Sequence, residues 1–328
     1  MQHLSNNKPE LESYLKNQGW LQPEEPITST EKPGDGNMNF TLRVTTGDRS
    51  FIIKQSRDFV EKYPQVEAPE KRALKEAAFY NIASENEGLQ AMMPRLLNVD
   101  KINNVLQLED LGNGKDYTFL YQKDQNLPEN ELSQIIDFAV KLHKISAKSV
   151  ENPIANREMR KLNHEHIFKF PYLQDNGLDL NTITPGLAEV GESFKKDRKL
   201  QENLQKLGEI YLKDGDHLLH GDYFPGSWLK TEDGIKIIDP EFCYFGVPEF
   251  EMGVTIAHLK MADQPENLIK NALNQYSAEA KLDNHLRKKF TAAEVLRRIL
   301  GLAQLPLEID LAKRKELVEE ARGVILKQ

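Results

Sequence analysis

Two acidic segments, Leu218-Leu219-His220-Gly221-Asp222 and Ile237-Ile238-Asp239-Pro240-Glu241, place Asp222 and Asp239 17 residues apart. Little besides a hairpin fits between them: Trp228-Leu229 and Ile235-Lys236-Ile237-Ile238 flank the turn signal Glu232-Asp233-Gly234. A short hairpin returns the chain close to its start, so Asp222, Asp239 and Glu241 are expected to lie near one another. Clustered carboxylates repel unless a cation or a proton relieves them. A hard divalent ion with oxygen ligands, Mg²⁺ above all, meets that need. One carboxylate is then free to act as a base toward a hydroxyl while the others hold the metal. Each residue also has a plain structural reading, Asp222 capping a turn and Asp239 ending a strand.

Two upstream segments suit the same chemistry. Gly34-Asp35-Gly36-Asn37-Met38-Asn39 stands just before a strand pattern, where glycines let backbone N–H groups approach phosphates. By itself the segment is equally an ordinary turn. Lys54 closes the run Phe51-Ile52-Ile53, and a strand lysine near a glycine loop can reach nucleotide phosphates. Glu76, on the next helical pattern, is the candidate that orients it.

Around these segments the chain changes character. Phe40, Leu42 and Val44 alternate with polar residues, Gly47-Asp48 offers a turn, and Phe51–Lys54 resumes, which predicts an antiparallel hairpin. Residues 70–83 show helical spacing, and Val105–Leu108 reads as another strand before the break at Gly112-Asn113-Gly114. From there helices dominate: Leu132, Ile135, Ile136, Ala139, Leu142 and Ile145 share a face, residues 199–213 repeat the pattern, and at least three helical patterns follow Glu249. Residues 151–197 are polar and ambiguous. The expected fold class is α+β, with a β-rich lobe at residues 1–111 and a larger helical lobe at 112–328.

Composition narrows the partners. The chain has 328 residues and a net charge of −8, the wrong sign for coating nucleic acid. Cys243 is the lone cysteine, which excludes an intramolecular disulfide and a cysteine-built zinc site. The first residues lack the apolar core of a secretory leader, and no apolar run approaches the ~20 residues of a membrane span. The expectation is a cytoplasmic protein with neither nucleic-acid nor membrane partners; a homodimer is compatible with the sequence.

The order of these segments resembles the aminoglycoside phosphotransferase and choline kinase superfamily, and most closely its methylthioribose kinase subfamily. The resemblance rests on Gly34–Phe40, Ile52-Ile53-Lys54-Gln55, Leu108-Glu109-Asp110-Leu111, His220-Gly221-Asp222, Ile238–Phe242 and Leu296-Arg297-Arg298-Ile299-Leu300-Gly301-Leu302-Ala303. It implies a two-lobed protein-kinase-like fold with the active site in the cleft. It implies ATP and Mg²⁺ as cofactors and transfer of the γ-phosphoryl group to a hydroxyl of a small sugar, 5-methylthioribose or a related ribose derivative. Asp222 would be the catalytic base. Asp239 and Glu241 would hold Mg²⁺, with Ser227 beside them. The superfamily usually carries Asn where Ser227 stands; methylthioribose kinases lack that Asn. Gly34, Asp35, Gly36, Asn37, Lys54 and Glu76 would serve the phosphates, and Glu109 to Leu111 would meet adenine. Arg297 and Arg298, which by pattern alone would flank an apolar stripe in solvent, would face the sugar and the transferred group. Tyr63–Pro69 stands where the subfamily has a tryptophan-bearing loop, and it holds no tryptophan.

A protein kinase would show His-Arg-Asp, Asp-Phe-Gly and Ala-Pro-Glu elements with a long segment between the last two. Here the chain runs from Glu241 through Phe245-Gly246 into a helical pattern, with little room for peptide docking. The expected partner is therefore a small-molecule sugar or amino alcohol. Aminoglycoside, choline, ethanolamine and homoserine kinases, or an inactive nucleotide-binding module, are the alternatives. His143 and Trp228 read as core residues, and His220 as a brace for its loop.

Overall fold

The computed structural model describes residues 1–34, 36 and 38–327. Asp35 and Asn37, both expected at the phosphate loop, lie outside the described residues. By their contacts the chain forms two compact units, Met1–Gly114 with Thr231–Cys243, and Lys115–Lys230 with Tyr244–Gln328. The expected lobe boundary followed Leu111 and gave all of 112–328 to the second lobe. Thr231–Cys243 instead packs with the first unit, because Ile237 donates its N–H to the Met92 carbonyl and Cys243 its thiol to that of Lys75.

In the first unit five strands form one antiparallel sheet, in the order Ser29–Glu31, Phe40–Thr45, Ser50–Gln55, Val105–Glu109, Leu96–Asp100. Alternation along the strands divides its faces. Leu42, Val44, Phe51, Ile53 and Val105 pack with Leu11, Tyr14, Leu15 and Trp20 from the N-terminal helix and the turn after it. That helix, Lys8–Asn17, starts at Asn7, whose side chain accepts the Glu10 N–H. Lys54, one residue on from Ile53, belongs to the opposite face, against the helix Arg72–Ala83. The expected hairpin has its register at Leu42 opposite Ile53 and Thr41 opposite Lys54.

The second unit is mostly helical: Glu129–His143, Arg157–Phe168, Leu187–Lys195, Arg198–Tyr211, Pro248–Met261, Glu266–Glu279, Asn284–Leu300 and Leu311–Leu326. The two helices at 157–168 and 187–195 fall in the stretch read as ambiguous. Its apolar side chains are sparse, and the first of these helices buries Arg160, Asn163 and His164 alongside Met159 and Ile167. Pro248–Met261 is buried along nearly its whole length. A short strand, His217–Leu219, pairs antiparallel with Tyr244–Gly246 and leads into the His220-Gly221-Asp222 loop. Trp228 is fully buried, packed edge-on against Tyr117 and Tyr223. Among the described residues no helix is long and apolar enough to cross a membrane.

Candidate active site

The first unit gathers its candidate site residues around Lys54. The ammonium lies 2.6 Å from Glu76 and 2.7 Å from Asp239, which joins the strand lysine to the helix carboxylate as the sequence suggested. Burial alone would strip the charge from Lys54, but Asp239, Glu76 and Glu241 overcome it and hold the ammonium above its ordinary range. Burial pushes Glu76 up to about 7 against the pull of Lys54. Asp239 differs from both in being 53% exposed at its side chain. Its backbone is left-handed, with φ 62°, at the start of the Pro240–Phe242 turn. Such a conformation is uncommon outside glycine, and Asp is among the residues that tolerate it.

Glu241, expected to hold Mg²⁺ with Asp239, lies among neighbours of its own. Its carboxylate, 8% exposed, lies 3.3 Å from the Arg72 guanidinium and accepts from Asn39 Nδ2 at 2.8 Å. Arg72 itself is fully buried and donates to the carbonyls of Met38, Arg57, Phe59 and Pro69. Thus Glu241 ties the end of the glycine segment, Met38-Asn39, to the Asp239 turn. Gly34 and Gly36 are exposed, and a Cβ at either would meet nothing within 4 Å. Glu109 ends the strand beside Phe51 and pairs with Arg95, and Leu111 is half-buried next to Asp110, which binds Arg43 at 2.8 Å.

The second unit carries Asp222. The preceding Gly221 has φ 86°, and its N–H donates to Glu251 Oε2 at 2.8 Å. Glu251 also meets His143 Nε2 at 2.9 Å, and His143 Nδ1 meets the Tyr276 hydroxyl at 2.7 Å, so the loop is anchored in the core. His220 Nδ1 accepts the Asp222 N–H at 3.4 Å, the bracing role read from the sequence. Ser227 is buried and donates its hydroxyl to the Asp222 carbonyl at 2.7 Å, closing the loop. Asp222 keeps 24% of its side chain exposed, with Arg298 3.5 Å from Oδ1. Burial raises its carboxyl above the usual aspartate range, against the opposing pull of Arg298 and Arg297. Neither arginine flanks the apolar stripe in solvent, for both are buried and gathered by Glu294.

The expected trio of carboxylates divides between the units, Asp239 and Glu241 in the first and Asp222 in the second. Among the described residues no three His, Cys, Asp or Glu side chains form a ready metal cage. Mg²⁺ seldom uses such a cage; one or two carboxylates, phosphate oxygens and waters complete its shell. Asp239, a half-exposed oxygen donor beside a buried ammonium, fits that habit, whereas Glu241 is already held by Arg72 and Asn39.

A model of the phosphotransferase enzyme family (APH) matches residues 29–286, which include Lys54, Glu76, Asp222, Asp239 and Glu241. The chain belongs to that family. Curated relatives in it are methylthioribose kinases. One, from Exiguobacterium sibiricum, is 28% identical over 74% of this chain and 63% of its own length. Another, from Bacillus cereus strain G9842, is 25% identical over 80% of this chain and 65% of its own. The chain therefore spans a little under two thirds of the curated relatives it matches. Among solved structures, choline kinase LicA from Streptococcus pneumoniae superposes with a TM-score of 0.56 at 12% identity, covering 96% of this chain and 99% of that one. A spectinomycin phosphotransferase in complex with ADP and spectinomycin gives 0.52 at 13%, covering 99% and 98%. The fold is that of the kinase-like phosphotransferases.

Arg72, Glu251, His258 and Glu294 escaped the sequence reading. The signal for one of them was present: Glu294 and Arg298 stand four apart on a helix, the spacing at which opposite charges meet.

Proposed function

We propose that the protein is an ATP- and Mg²⁺-dependent small-molecule kinase that phosphorylates a hydroxyl of a small sugar, 5-methylthioribose or a related ribose derivative. The observation that carries this reading is the buried Lys54 ammonium held between Glu76 and the half-exposed Asp239. A fixed cation beside an open carboxylate suits a nucleotide phosphate with its metal. The phosphates are received beside the strand that begins at Phe40, and the backbone from Glu109 to Leu111 receives adenine. Asp239 holds Mg²⁺, which when bound neutralises phosphate charge. Asp222 accepts the proton of the substrate hydroxyl, and Arg297 and Arg298 face the sugar and the phosphoryl group as negative charge accumulates. The sugar assignment rests on the motif resemblance and on the names of the curated relatives.

The test is ADP release from Mg·ATP across a panel of 5-methylthioribose, other pentoses, choline, ethanolamine, homoserine and aminoglycosides. Release that depends on 5-methylthioribose is expected. Turnover of an amino alcohol instead would reassign the acceptor, and tight nucleotide binding with no turnover would make the chain a binding module.

Asp222 also sets a pH dependence. As a base it must be ionised, so activity disappears as pH falls through its raised pKa. The acid limb of kcat/KM is expected above the ordinary aspartate range. Replacing Arg298 with Leu removes a favourable charge and should move the limb to higher pH. A limb that stays put would disconnect Arg298 from the titrating group.

A further inference from the structure

Behind Arg298 lies a chain of buried groups. Glu294 is 1% exposed and sits three and four residues before the two arginines on the helix Asn284–Leu300. Its Oε1 accepts from Arg298 Nε at 2.6 Å, and its carboxylate takes Arg297 Nη1 at 3.1 Å and 3.2 Å. His258, fully buried on the helix Pro248–Met261, reaches the same Oε1 with Nε2 at 3.1 Å. Its Nδ1 meets the hydroxyl of buried Tyr121 at 2.5 Å. The Phe224 ring lies beneath the Arg298 guanidinium and beside the His258 ring, at centroid distances of 4.8 Å and 4.9 Å.

We propose that Glu294 and His258 are positioning residues, which together with Tyr121 fix the Arg298 guanidinium against Asp222. This rests on the reading of Asp222 as the base. The donor and acceptor roles run in one direction. Burial would raise Glu294, but the two guanidiniums overcome it and hold the carboxyl well below its ordinary range, so Glu294 only accepts. Burial lowers His258 to about 4, so the ring is neutral near pH 7 and carries one proton. With Glu294 as acceptor that proton sits on Nε2, and Nδ1 accepts from the Tyr121 hydroxyl. Rotation of the His258 ring would break both bonds at once. Glu294 further balances the charge: two guanidiniums face two carboxylates, and the cluster is neutral before the phosphoryl group arrives.

Because amides can copy either ring nitrogen, His258 can be dissected. In His258→Gln the amide nitrogen reaches the place of Nε2 and can donate to Glu294. In His258→Asn the amide reaches only the place of Nδ1, and His258→Leu makes neither bond. The readouts are steady-state kinetics and the Arg298 Nε–H resonance, assigned by its loss in Arg298→Lys. We expect His258→Leu to lower kcat about tenfold or more with KM for ATP unchanged, a displaced guanidinium being enough for such a loss. Its Arg298 Nε–H signal should exchange rapidly. His258→Gln should recover most of kcat and the slow-exchanging signal; His258→Asn should recover little. Equal kcat in the Gln and Asn variants, or an unchanged Arg298 signal in His258→Leu, overturns the proposal. Should His258→Leu not fold, Tyr121→Phe deletes one hydroxyl and is read in the same way, with a smaller loss expected and an unmoved signal counting against the proposal. An unmutated protein that turns over no acceptor removes the kinase reading, while the resonance still decides whether His258 holds Arg298.

Discussion

Replacing Asp222 with Asn lowers kcat by roughly 10²- to 10⁴-fold, the usual contribution of a positioned general base. The substitution keeps the shape of the side chain and the backbone bonds around it. Gly221 still donates to Glu251, and Ser227 still donates to the carbonyl of residue 222. What disappears is the negative charge that faces Arg298 and that the proposed mechanism uses as the base. Nucleotide affinity should stay at the parent value, because the ion pairs of Lys54 with Glu76 and Asp239 do not involve residue 222. The measurements are kcat with the best acceptor and the ADP dissociation constant by calorimetry. A variant that turns over at the parent rate would remove Asp222 from the chemistry. Loss of ADP binding would show that the substitution disturbs more than the base.

The parts of the site legible in the sequence were those written in local spacing. Alternation placed Lys54 on a strand, the 3.6-residue period placed Glu76 on a helix, and the strand face opposite Ile53 joins them. The hairpin between Asp222 and Asp239 was equally readable, since turn residues announce it. Which unit each aspartate joins was not, because the chain changes units inside it: Asp222 belongs with the helices and Asp239 with the sheet. Period and propensity carry no information about which unit a short strand joins. The arginine pair shows a second limit. Pattern alone sends charged neighbours of an apolar stripe into solvent, yet Arg297 and Arg298 are buried because Glu294 supplies their counter-charge from the same helix. The N-terminal helix shows a third. Lys8–Asn17 has few apolar residues, but Leu11, Tyr14 and Leu15 find the sheet's inner face, and tertiary burial outweighs a weak local signal.

The largest expected loss of stability belongs to Arg72. In Arg72→Met the fully buried guanidinium is removed while Glu241 stays at 8% exposure beside Asn39 Nδ2. Breaking a buried ion pair from one side typically costs about 3–5 kcal/mol, because the remaining charge is stranded from its guanidinium. The carbonyls of Met38, Arg57, Phe59 and Pro69 lose a shared donor as well. Lys would not substitute, since a single ammonium cannot span four carbonyls and a carboxylate as a planar fork does. The two tryptophans make the measurement specific: Trp20 packs in the core of the first unit and Trp228 in that of the second. In a Trp228→Phe background, urea unfolding followed by Trp20 fluorescence reports the first unit alone. With a urea dependence of about 1–3 kcal/mol/M, the midpoint should fall by roughly 1–5 M. Adding Glu241→Gln separates the two contributions. If the stranded charge dominates, the double variant loses much less than the sum of the singles. If the carbonyl bonds dominate, the losses add, and Glu241 is then a bystander to the placement of the Met38-Asn39 segment. A midpoint that barely moves in Arg72→Met would show that the Met38-Asn39 segment is held by the sheet, and that Arg72 is dispensable to it.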